Sequence, residues 1–422
     1  MTPMTTVETQ TLGGATESAS DLLAAARSML PDLLPIRRAI HRRPELGLDL
    51  PETQRLIADE LRRLGLEPRL GRGLSSVTAT IGEGRSGRTI VLRADMDALP
   101  LTEKTGLEFA SEIDGRMHAC GHDTHVTMLL GAARLLVERF RKDPASLPGP
   151  VRLMFQPGEE GWFGAKVMLD EGFLADLSAE DARAFAIHIS AMFPSGEVHS
   201  RPGTMLASAD NIAITVRGSG GHASMPHNAR DPIPVAAEII TALQVAITRS
   251  VDAFDPAVLT IAHLTAGTTT NIIPETALLE GTFRTVSDKR RAAMPDLIRR
   301  VVSGIAAAHD VEAEVVFSAL YPVTVNDADV FQQVQEIARS VVGATDVHEM
   351  PAPMMGAEDW SYVLQRIPGV MVDLGARPRD RELAGFPMNH SNLVVFEEAA
   401  MAVGVALYAA VAEQLDRETP GG

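Results

Sequence analysis

Cysteine is almost absent: Cys120 is the one thiol in 422 residues. A single cysteine cannot close an internal disulfide, so no oxidising compartment is implied and the thiol is free for other chemistry. Aromatic residues make up 4% of the chain, too few for a base-stacking platform on single-stranded nucleic acid. Basic residues are outnumbered, 38 Lys and Arg against 55 Asp and Glu, leaving a formal net charge of −17. That sign disfavours polyanions and anionic membrane surfaces, so neither nucleic acid nor a membrane is an expected partner. No apolar run reads as reaching the roughly 18 residues that span a bilayer. Residues 1–20 lack the basic and apolar stretches of a secretory signal and read as a disordered leader rich in Thr, Gly, Ser and Ala. A cytoplasmic protein is expected.

What is present suits a globular enzyme. Hydrophobic residues make up 45% and 422 residues are long for one core, so two domains are the prior. Residues 21–64 carry helical spacing interrupted at Pro31, Pro35, Pro44 and Pro51, with a helix from Thr53 stopped by Gly65. Strands follow at Ser76–Ile81 and Thr89–Leu92. The glycines from Gly82 to Gly87 between them have dinucleotide-loop spacing, but a strand follows where a helix should open, so they read as a hairpin turn. Further strands at Val151–Phe155 and Ala184–His188 alternate with helices, which argues an α/β domain with a largely parallel sheet. From about Ala209 the order becomes β-α-β-β-α-β, a ferredoxin-like split unit over 209–325. The first domain is then 21–208 plus 326–422, with Val370–Leu374 rejoining its sheet and Leu393–Leu415 as a closing helix.

Chemistry concentrates in two clusters. His118, Cys120, His122, Asp123 and His125 occupy eight residues, and Glu159 and Glu160 follow a strand. Thiolate, imidazole and carboxylate are the ligands of zinc and its neighbours. Asp95 and Asp97, the Glu pair and His188 all fall at strand carboxyl ends, where ligands gather in open α/β sheets. His390 lies in a late loop that can return to that edge. Such a set suits a two-metal hydrolytic site. The glycines of Gly218–His222 are followed by no Lys-Ser/Thr, so they are no phosphate loop.

The motifs run in one order along the chain: Arg38-Ala39-Ile40-His41 with Pro44-Glu45-Leu46-Gly47; Arg93 to Leu101; His118 to Asp123; Gln156 to Gly161; Gly220-Gly221-His222-Ala223-Ser224; Asn271-Ile272-Ile273-Pro274; Gly356-Ala357-Glu358-Asp359; and Asn389-His390-Ser391. In these the chain resembles the M20 metallopeptidase family, and within it the amidohydrolase subfamily of hippurate hydrolases, N-acyl-amino-acid hydrolases and auxin-conjugate hydrolases. The resemblance implies a zinc-peptidase-like catalytic domain with an inserted dimerisation or lid domain. It implies two divalent ions, zinc first, with manganese, cobalt or nickel also tolerated. Their ligands would be Cys120 as bridge, His122, Glu160, His188 and His390. Glu159 would act as general base toward a water activated by the ions, then as general acid toward the leaving amine. Asp97 would support the ligands, and His222, entering from the partner of a homodimer, would stabilise the oxyanion. Asn271 and Arg284 would hold the substrate carboxylate. Asp95 stands where related enzymes carry a metal-binding histidine, and its own contact with metal stays open. So does the role of Trp162, in the acyl pocket or capping the loop. His41, His118, His125 and His227 are taken as structural. The reaction implied is hydrolysis of N-acyl amino acids; a dipeptidase or carboxypeptidase, and an inactive metal-stabilised binding protein, are the alternatives.

Overall fold

The helix Ala19–Arg42 runs unbroken through Pro31 and Pro35 in the computed structural model, which describes residues 19–417. Residues 1–18 of the leader expected over 1–20 lie outside the described residues, and residues 19 and 20 already belong to this helix. Both prolines were expected to interrupt this helix. They do not, because Leu22, Ala26, Met29, Leu33 and Ile40 form one buried stripe against the helices His122–Lys142 and Ala400–Gln414. Burying such a stripe outweighs the roughly 3 kcal/mol that an interior proline costs.

The main sheet has eight strands, in the order Arg69–Leu70, Val77–Ile81, Val151–Gln156, Thr89–Asp95, Ala182–Pro194, Gly369–Arg377, Val198–Ser200 and Val347–Glu349. The four middle strands are mutually parallel, and Thr89–Asp95 is buried along its whole length, as a strand covered on both faces must be. The turn after Ile81 is not a hairpin: Val151–Gln156 lies between Val77–Ile81 and Thr89–Asp95 and pairs with both. A short glycine-rich loop suggested direct pairing, but the alternative buries Val151–Gln156 in the sheet's interior.

Residues from Asp210 to Ala319 form a second sheet, ordered Ala257–Ala266, Thr276–Thr285, Asp210–Arg217, Glu312–Ala319, with every pair antiparallel. The helices Pro232–Ser250 and Asp288–Ala308 pack against it around Ile212, Ile239, Leu243, Leu279, Ile298 and Val302. This is the ferredoxin-like unit, with a core of its own. Pro232–Ser250 corrects one expectation, since at 19 residues and mean hydropathy 1.2 it is long and apolar enough to cross a bilayer. Val235, Ala236, Ile239 and Leu243 instead face the sheet, while Ile233 and Val245 stay exposed.

The closing helix is Ala400–Gln414, shorter than expected from the apolar pattern. Val394 and Phe396 are buried beside Ile189 and Ala119 instead, and Glu398 pairs with Arg37 at 2.9 Å and Arg38 at 2.7 Å. This irregular stretch fastens the loop that carries His390.

Candidate functional site

Strand ends and helix starts deliver the candidate ligand side chains to one edge of the main sheet. Cys120 and His122 flank the start of His122–Lys142, with Gly121 between them at φ 91°. A Cβ on Gly121 would stand 2.4 Å from Ile189 Cγ2, so the bare backbone is what lets this turn approach the His188 strand. Cys120 Sγ lies 3.3 Å from His188 Nε2 and 3.3 Å from His390 Nε2. His390 Nε2 in turn lies 3.4 Å from Glu160 Oε1. Donor atoms of Cys120, His122 and His188 all fall within 4.8 Å of one another, as do those of Cys120, Glu160 and His390. Cys120 belongs to both sets.

The electrostatics call for a cation. Asp95, Asp97, Glu159, Glu160 and Glu358 converge on the cluster, and Asp95 and Asp97 are buried. Both ring nitrogens of buried His122 lack a hydrogen bond, the nearest carboxylate oxygens being Asp95 Oδ2 at 3.5 Å and Asp97 Oδ1 at 3.6 Å. Burial lowers the His122 pKa, but Asp95, Asp97 and Glu160 more than reverse this, raising it to about 10. Burial, then Glu160 and Glu159, drives the Cys120 thiol well above its ordinary value. Burial and neighbouring His125 hold His188 neutral, with its pKa well below the usual range. In a metal-free protein, protons would have to balance these donors; divalent ions would displace them. The unpaired imidazole and the excess of carboxylates therefore fit bound metal.

Supporting contacts set the geometry. Asp95 meets Arg93 Nη1 at 2.6 Å and also pairs with His125 Nδ1. His125 Nε2 accepts the N–H of Ile189 at 2.7 Å, which fixes its tautomer beside the His188 strand. Asp97 accepts the backbone N–H of Glu159 at 2.9 Å and of Glu160 at 3.1 Å, so it shapes the Glu-Glu turn. Glu159 is 6% exposed. Burial, followed by the charges of Glu358 and Glu160, holds its carboxyl well above the usual carboxylate range. That direction suits a group that takes a proton and later returns it.

A cavity of about 440 Å³ opens over this cluster, lined by Cys120, Glu159, Glu160, His188 and His390, with Arg284 from the second sheet. Arg284 Nη1 donates to the Met355 carbonyl at 2.8 Å. His122 and Asp97 lie beneath the cavity rather than on its surface. His222 and Asn271 do not reach it. They sit together on an exposed ribbon, with His222 opposite Ile272 and the Asn271 carbonyl accepting the Ala223 N–H at 3.1 Å. Trp162 is 56% exposed, covers Gly47 and Gly158 and lies outside the cavity lining, so it caps the loop. His41 and His118 are buried behind the site and His227 is on an exposed turn of the second unit.

Three contributors carried no role in the sequence reading. Arg93 joins Glu358 at 2.7 Å and Asp359 at 3.2 Å, tying the 93–101 and 356–359 motifs together. The Tyr321 hydroxyl donates to the Glu159 carbonyl and accepts the Gly161 N–H at 2.8 Å. Asp373 lines the cavity; burial and the Glu358 charge raise its pKa to about 7. Glu197, His199 and His348 form a separate group, but His199 stacks between Phe193 and His348, at 11° and 18°. His199 Nε2 at 2.9 Å and His348 Nε2 at 3.5 Å both meet Glu197 Oε2, a compact group apart from the cavity.

Fold and cluster together define a metal-dependent hydrolase acting on amide bonds. The chain belongs to the peptidase family M20/M25/M40, whose family model matches residues 91–414. It is 39% identical over 384 residues to thermostable carboxypeptidase 2 of Saccharolobus solfataricus, covering 90% of this chain and 94% of that one. It is 38% identical over 390 residues to the IAA-amino acid hydrolase ILR1-like 2 of Arabidopsis thaliana, covering 92% and 85%. Among solved structures, the YXEP protein of Bacillus subtilis, described as a dinuclear metal-binding peptidase from the M20 family, matches with a TM-score of 0.78 and 33% identity over 92% of this chain and 98% of that one.

Proposed function

We propose that the protein is a dinuclear metal amidohydrolase that cleaves N-acyl amino acids to a carboxylic acid and a free amino acid. The observation that carries this is the pair of ligand sets sharing Cys120, with Glu159 beside them in one cavity that also receives Arg284. Cys120, His122 and His188 would hold one ion, and Cys120, Glu160 and His390 the other, zinc being the first candidate. Such ions polarise the scissile carbonyl and acidify the attacking water. Glu159 takes the proton of that water and passes it to the leaving amine nitrogen. Asp97 keeps the Glu159–Glu160 turn in place through its two backbone contacts. Arg284 pairs with the substrate carboxylate, for which a planar guanidinium is suited.

The 209–325 unit acts as lid and dimerisation domain in this reading. Its edge strand Ala257–Ala266 is largely exposed, and Ile233 and Val245 of Pro232–Ser250 stay exposed with Val258 and Leu264 of that strand, a surface that a second copy would cover. His222 and Asn271, remote from their own cavity, would then complete the partner's, His222 donating to the developing oxyanion. A reducing, cytoplasmic setting suits the lone thiol.

A carboxypeptidase reading is favoured by one relative's activity, an amide hydrolase of amino-acid conjugates by another's. Steady-state rates on hippurate, N-acetyl amino acids and unblocked dipeptides, after reconstitution with each metal, separate them. The proposal expects higher kcat/KM on the acylated substrates; higher efficiency on dipeptides would replace it with the peptidase reading.

A further inference from the structure

The wall that the main sheet contributes to the cavity carries a feature that metal binding and proton transfer do not use. Asp373 stands on Gly369–Arg377, in register with His188 on the neighbouring parallel strand. It is 3% exposed and lines the cavity. Its Oδ2 is buried without a hydrogen-bond partner, and no side-chain or backbone donor reaches its other oxygen among the described residues. A buried carboxyl is ordinarily hydrogen-bonded, because leaving it unpaired costs the full desolvation penalty. Around it the cavity is lined by Met192, Met205, Met354, Met371 and Met388, flexible apolar side chains that adapt to varied shapes.

We propose that Asp373 is a specificity-determining residue: the methionine-lined part of the cavity takes the acyl arm of the substrate, and Asp373 takes an amine or other N–H donor at that arm's far end. The proposal rests on the amidohydrolase reading. Arg284 reaches the cavity from the second sheet and Asp373 from the main one. A substrate whose carboxylate goes to Arg284 therefore leaves its acyl end for Asp373. The preferred class is an N-acyl amino acid with an apolar acyl spacer ending in a primary amine. A plain benzoyl or acetyl arm fills the methionine wall but leaves Asp373 unpaired.

The test compares hippurate with its 4-aminomethyl derivative, using the metal-loaded enzyme and its Asp373→Asn and Asp373→Leu variants. The parent is expected to favour the amine-bearing substrate in kcat/KM. Asp373→Leu should lower that ratio by about 10-fold to 100-fold, the usual worth of a hydrogen bond to a charged group, and Asp373→Asn should lower it less. Binding of benzoate and 4-(aminomethyl)benzoate, measured by calorimetry on the same proteins, gives a readout that needs no turnover. Amine selectivity in binding that Asp373→Leu abolishes supports the subsite even if neither amide is cleaved, in which case it is the amidohydrolase reading that fails. Hydrolysis of both substrates with a ratio unchanged in Asp373→Leu overturns the subsite and leaves the amidohydrolase reading standing. An Asp373→Leu protein that is merely more stable, with the same binding selectivity as the parent, overturns it too.

Discussion

Glu159 and Glu160 are adjacent in sequence, and their surroundings shift their carboxyl pKa values in opposite directions. Glu160 lies toward His390 and Cys120, and hydrogen bonding and charge from His390, with the charge of His122, more than offset burial and keep its carboxyl below the usual range. For Glu159, burial and the charges of Glu358, Glu160 and Asp359 outweigh the opposing charge of Arg93, and its pKa moves the other way. One neighbour is therefore disposed to bind a cation and the other to carry a proton. Glu159→Gln, of the same shape but unable to accept the proton, should retain bound metal and lose about 10²–10⁴-fold in kcat; metal analysis and initial rates on the same preparation check both halves. The candidate ligands and Glu159 could be singled out in the sequence because each sits in a short, dense motif. Tyr321 and Asp373 were not, because each comes from a segment without chemical density of its own, and only folding places them against the cavity.

The first helix shows how an element can be read in outline and missed in detail. Its apolar spacing was visible, and the two prolines within it pointed to a break that tertiary packing overrides. Its last turn is anchored by a buried network: Arg37 Nε lies 3.0 Å from Asp123 Oδ2, and His41 Nδ1 lies 2.8 Å from the same oxygen. His41 also meets Glu103 at 3.3 Å. Burial alone would lower the His41 pKa, but the charge and hydrogen bond of Asp123, with the hydrogen bond of Glu103, raise it to about 9. A folded-state pKa above the unfolded value of about 6.5 means the charged histidine stabilises the fold fully below pH ~6.5. That contribution, on the order of 3 kcal/mol, is lost as pH rises through about 9. His41→Gln should thus lower the melting temperature near pH 6 and differ less from the parent near pH 9.5. Thermal unfolding across that range measures it; a constant difference would show that His41 acts by packing alone. The order of the second unit was legible for a simpler reason: its strands, 8 or 10 residues long, are separated by clear turns and two long helices. The Gly82–Gly87 turn misled because sequence shows a turn but not which strand comes to lie beside it.

At the scale of the whole molecule, the catalytic cavity and the exposed His222–Asn271 ribbon are separate parts of one chain. The proposed dimer joins them, each subunit lending its ribbon to the other's cavity. Mixing His222→Ala with Glu159→Gln subunits then regenerates one intact site per heterodimer. Random reassociation of a symmetric dimer should recover about a quarter of the parental activity, while either variant alone stays low. Heterodimers that form and recover nothing would place His222 outside the catalytic site.

Cys120 is common to both candidate ligand sets, so the number of ions per subunit in the parent and in Cys120→Ser tests this shared dinuclear site most directly. Quantitative metal analysis after reconstitution and gel filtration should find two tightly held ions in the parent, and loss of tight binding at both positions in a folded Cys120→Ser protein. Two ions retained in Cys120→Ser with unchanged affinity, or a single ion in the parent, would contradict it.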